Sequence, residues 1–69
     1  MNEAFRDLKE RMRRLDALLE SRGVSGDVSF AQALSSLHRA VRRGDRSREP
    51  TAELVALLER VEGFGRRLA

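Results

Sequence analysis

The sequence predicts an all-α fold. Apolar residues recur at alternating intervals of three and four through three separate segments, charged residues fill the intervening positions, and Gly, Ser, Asp and Pro punctuate the gaps. In the first segment Phe5, Leu8, Met12, Leu15 and Leu19 follow the a and d spacing of a heptad, and Leu18 widens the stripe. Asp7 with Arg11 and Glu10 with Arg14 stand four residues apart, acid first, the order that supports a helix. This helix is expected from about residue 2 to 22, with Gly23 as its C-terminal stop.

Residues 24–28 read as a short connection. Ser29 and Gln32 then have the spacing of a capping box, with Val28 placed to staple onto Ala33. Phe30, Leu34, Leu37 and Val41 carry the second stripe, Ala33 and Ala40 extend it, and Gly44 is a plausible C-cap, so this helix is expected over about 29–43. The stretch 44–49 has no apolar residue, and Pro50 suits the first turn of a third helix over about 50–68. Its stripe is Leu54, Leu57, Leu58, Val61, Phe64 and Leu68, with Gly63 and Gly65 each costing about 1 kcal/mol relative to alanine and inviting a bend or fraying.

Three helices joined by short links form an up-down-up bundle, or a helical hairpin with a third arm, within a single domain spanning 1–69. The first helix, about 21 residues and so roughly 31 Å long, outruns the second, which suggests an uncovered end to its stripe. With no cysteine in the 69-residue chain, disulfides cannot supplement so small a core, and association with another chain is the expected supplement. A homo-oligomer of coiled-coil type is therefore expected. No apolar run approaches the roughly 20 residues of a membrane span, and residues 1–10 lack the apolar stretch of a signal peptide, so a cytoplasmic protein with no membrane contact is expected.

Catalysis is not expected. With no cysteine and one histidine, His38, neither a Cys–His pair nor a multi-histidine metal site can form within the chain. The serines sit in no nucleophile elbow, and the glycines form no phosphate-cradling loop. No metal, cofactor or small-molecule substrate is expected. The absence of Trp and Tyr, with the phenylalanines all on apolar stripes, also removes any platform for stacking unpaired bases.

Thirteen of the fourteen basic residues are arginine, a bias that GC-rich coding would itself produce. Arg39, Arg42, Arg43, Arg46 and Arg48 fall within ten residues, where Arg42 and Arg43 serve the macrodipole at a helix C-terminus and the group as a whole could contact phosphates or an acidic partner. The leading expectation is a non-enzymatic helical module for protein–protein interaction or oligomerisation, acting as adaptor, scaffold or regulatory subunit. It would meet itself or another helical protein through Phe5, Leu8, Met12, Leu15, Leu19, Leu54, Leu57, Val61 and Phe64. The alternative is a nucleic-acid-associated regulator, antitoxin or phage accessory protein that uses the arginine strip. The apolar residues would equally serve an intramolecular core, and Leu15→Glu separates the two uses: it frees a folded monomer from an oligomer, or it unfolds the chain.

Overall fold

The computed structural model describes residues 3–22, 28–45 and 47–68 and consists there of three helices. These are α1 (Glu3–Arg22), α2 (Val28–Arg43) and α3 (Ala52–Leu68). The expected start at Asn2, the stop at Gly23, the connection 24–27, Arg46 and the Leu68 side chain lie outside what is described.

Chain direction follows from which ends meet. Phe5, early in α1, lies against Gly44 just past the end of α2. Late in α1, Leu15 and Leu18 meet Gly65 near the end of α3, with Phe30 of α2 beside them. α1 is thus antiparallel to α2 and parallel to α3, an up-down-up order, and α3 packs on both of the others rather than standing off as an arm. The result is a short rod measuring 36 × 17 × 17 Å.

The stripes meet along its axis. Phe5, Leu8, Met12 and Leu15 from α1, Phe30, Leu34, Leu37 and Val41 from α2, and Leu54, Leu58 and Val61 from α3 are buried. Leu18, Leu19, Ala33, Ala40, Leu57 and Phe64 flank them half-buried. No polar or charged side chain among the described residues is buried, so the interior is wholly apolar. α1 is 20 residues long against 16 and 17 for its neighbours, and its stripe is covered except where Leu18 and Leu19 stay partly open.

Two helix starts differ from the sequence expectation, while the end of α2 falls where it was expected. α2 takes in Val28, which places Ser29 inside the first turn instead of at a cap, and Val28 is 65% exposed, so it is no staple on Ala33. α3 starts two residues after Pro50: the Thr51 hydroxyl accepts the Leu54 amide at 3.1 Å while the Thr51 carbonyl accepts the Val55 amide at 3.0 Å, which makes Thr51 the N-cap. α2 ends at Arg43, and the amide of Gly44 just past it donates to the Val41 carbonyl at 3.1 Å with a backbone that is not left-handed. Space there is tight, since a Cβ would stand 3.2 Å from Phe5 Cζ.

The α2–α3 link is held by Asp45, which accepts the Ser47 amide at 2.9 Å and the Ser47 hydroxyl at 2.6 Å. These bonds, the hydroxyl first, hold the Asp45 carboxyl below its ordinary value of 3.8. A depressed carboxylate stabilises the fold above its unfolded pKa, and that contribution is lost as pH falls through the folded value. Ser47→Ala is accordingly expected to raise the Asp45 pKa toward the ordinary value, as read by a carboxyl-carbon NMR titration.

Gly63 and Gly65 also behave differently from each other. α3 continues through both, but Gly65 is buried, and a Cβ there would lie 3.1 Å from Leu18 Cδ2 and 3.3 Å from Leu15 Cδ2. Around Gly63 only Arg66 Nη2 comes near, at 3.9 Å. Gly63→Ala is therefore expected to stabilise by about 0.5–1 kcal/mol, which raises Tm by several degrees in a thermal melt followed by circular dichroism. Gly65→Leu is expected to lower it. Leu15→Glu, placed against this contact, is expected to unfold the chain.

Candidate functional site

With the interior apolar, the chemistry lies on the surface, where α1 and α2 define a groove of about 300 Å³ lined by Lys9, Met12, Arg13, Asp16, His38, Val41 and Arg42. Met12 and Val41 form its floor, because both point into the core, and the charged residues form its walls. A second depression continues it across Ser35, His38, Arg39 and Arg42. Lys9 and Arg13 are one turn apart on α1, and Arg39 and Arg42 one turn apart on α2, so each helix contributes a row of two cations.

Between the rows His38 Nε2 lies 2.8 Å from Asp16 Oδ1. A carboxylate oxygen only accepts, so the imidazole donates, and the bond ties α1 to α2. Among the described residues Asp16 is the one carboxylate lining the groove, against four cations. Those cations are weakly neutralised: Arg13 reaches Glu10 only at 3.9 Å, both exposed, and Arg39 donates to Ser36 Oγ at 3.4 Å. Among the described residues no carboxylate comes within ion-pair distance of Lys9, Arg42 or Arg43.

The opposite flank differs. Arg11 of α1 donates to Glu62 of α3 through both Nε, at 2.9 Å, and Nη2, at 2.5 Å. That bidentate bond, foremost among its causes, raises the guanidinium pKa further above its ordinary value.

The arginine strip read from the sequence is split by this geometry. Arg39 and Arg42 wall the basic groove, whereas Arg43 and Arg48 line a separate groove of about 510 Å³ at the end of the bundle, beside Phe5, Ala40, Leu54 and Leu57. There they stand among Asp45, Glu49 and Glu53, and Arg48 pairs with Asp45 at 3.6 Å. The larger groove is therefore nearly neutral, while the smaller one concentrates positive charge. Lys9 and Arg13 were not singled out by the sequence reading; the one available signal was their four-residue spacing on the α1 face next to Met12.

Of the apolar candidates for an interface, Phe5, Leu8, Met12, Leu15, Leu54 and Val61 are buried within the chain, and Leu19, Leu57 and Phe64 are half-buried beside them. The Phe64 ring is partly covered by the Arg67 guanidinium, 5.8 Å from its centroid. Among the described residues no three His, Asp or Glu side chains converge as metal ligands would, and no helix is long and apolar enough to cross a membrane. Comparison with known proteins finds no matching family model, no similar curated protein and no similar solved structure.

The groove's two sides make opposite contributions to its potential. Asp16→Asn is expected to tighten binding of a polyanion a few-fold, whereas Arg42→Glu weakens it; both are measured as shifts in the salt concentration that elutes the protein from immobilised heparin.

Proposed function

We propose that the protein is a non-catalytic helical binding module whose contact surface is the basic groove between α1 and α2, and whose partner is a phosphate- or sulfate-bearing polyanion. One observation carries this reading: four cations from two helices, with a single carboxylate among them, share one face of a protein whose net charge is only +3. A surface of that kind attracts a polyanion by releasing its counterions, so binding falls steeply with salt. Arginine contributes forked donors suited to phosphate oxygens, and Lys9 a compact point charge.

Retention on heparin at about 50 mM salt tests the proposal. The wild-type chain is expected to be retained and to elute with added salt, and Lys9→Glu/Arg42→Glu to flow through with its helical circular dichroism intact. Arg14→Glu/Arg66→Glu makes the same change in net charge at exposed positions away from the groove and is expected to remain largely retained. Equal loss in both double variants would reduce the effect to net charge and reject the groove.

A second reading, self-association or docking onto another helical protein, is favoured by the end groove, where half-buried Leu57 and Ala40 lie open beside Leu54 and Phe5. On that reading Leu57→Glu abolishes an oligomer seen by light scattering and leaves the helical signal in place.

A further inference from the structure

We infer that the polyanion is the backbone of a double-helical nucleic acid, gripped across two strands and without regard to sequence. The inference rests on the polyanion reading above and deepens it through the arrangement of the cations.

Lys9 and Arg13 lie four residues apart on one helix and Arg39 and Arg42 three apart on the next, separations of about 6 and 4.5 Å along the axes. Packed helices run about 8–10 Å apart. The cations therefore form a small two-row array rather than a line. Its halves are locked together by the apolar contacts below the groove and by the Asp16–His38 bond across it. Two rows carried on a fixed pair of helices are best met by phosphates that are themselves arrayed in two rows, as they are on the two sides of the roughly 6 Å minor groove of a duplex. A flexible single strand offers one row and must be ordered to fit.

Two further observations point the same way. Single-strand binders gain much of their affinity by stacking bases on exposed aromatics. Here Phe5 and Phe30 are buried and Phe64 is half-buried under Arg67, and the chain has no Trp or Tyr. Sequence reading is also precluded by shape. With both cation rows on phosphates the face presented is two helices wide, roughly 20 Å, and in that orientation it bridges the major groove, about 12 Å across, instead of entering it to reach base edges. Contacts stay on phosphates, and contacts on phosphates carry no sequence information.

Fluorescence anisotropy tests this with three labelled probes: a 20-base-pair DNA duplex, the same duplex with scrambled sequence, and one of its strands alone. Both duplexes are expected to bind within about three-fold of each other and at least ten-fold more tightly than the single strand. A plot of log K against log salt for the duplex should have a slope of about −3 to −4, as four neutralised phosphates require. Lys9→Glu/Arg42→Glu should lose duplex binding, while Arg14→Glu/Arg66→Glu keeps it. Single-strand binding equal to duplex binding overturns the inference but leaves the polyanion reading standing, as does retention on heparin without binding to any of the three probes. Binding to labelled polyglutamate with none to nucleic acid also overturns it and assigns the groove to an acidic protein surface. Failure to be retained even on heparin removes both the inference and the reading on which it rests.

Discussion

At the end of the bundle where α1 finishes and α2 begins, Leu15 and Leu18 close on Gly65 so nearly that a Cβ there would push them back by a few tenths of an ångström. At the other end the Phe5 ring lies against Gly44, where a Cβ would stand 3.2 Å from its Cζ. These two glycine contacts pin the helices at opposite ends and fix their alignment along the axis. Between them lie the buried residues that stabilise a chain with no disulfide. They also determine where everything on the surface falls, because once the ends are set, Asp16 must lie opposite His38 and Lys9 opposite Arg42.

Rotation of α1 about its own axis is set by its buried stripe, and the Arg11–Glu62 pair reinforces it. Isolated surface ion pairs contribute little, typically 0–1 kcal/mol, but a two-point guanidinium–carboxylate bond carries direction as well as energy. Turning α1 by one residue, about 100°, would break that pair and carry Lys9 and Arg13 out of the groove. The two flanks of α1 thus divide the work, one joining to α3 by charge and the other offering charge outward beside α2.

Much of this was legible in the sequence because helical periodicity is a local property. The stripes from Phe5 to Leu15, Phe30 to Val41 and Leu54 to Val61 lie where their spacing places them, and they account for the core. What the spacing did not reveal depends on neighbours remote in the chain. Gly65 looks like a weak point in a helix until Leu15 and Leu18 arrive from α1. Arg42 and Arg43 look like members of one cluster until the 100° between adjacent helical positions sends them to different grooves. Lys9 and Arg13 gain meaning only when α2 lies beside them. At the helix ends, local signals competed: Pro50 and Thr51 both mark an N-terminus, and the hydroxyl that reaches the Leu54 amide took the cap.

The wholly apolar interior has a further consequence for how such a protein can change. Among the described residues the charged groups that could recognise a partner all stand outside the buried core, and the apolar side chains that fill that core carry none of the charge. Exchanges at exposed positions of this kind alter stability by only about ±0.5 kcal/mol. Lineages descended from such a chain could exchange one set of outer charges for another, and so one target for another, while inheriting the same three helices unchanged.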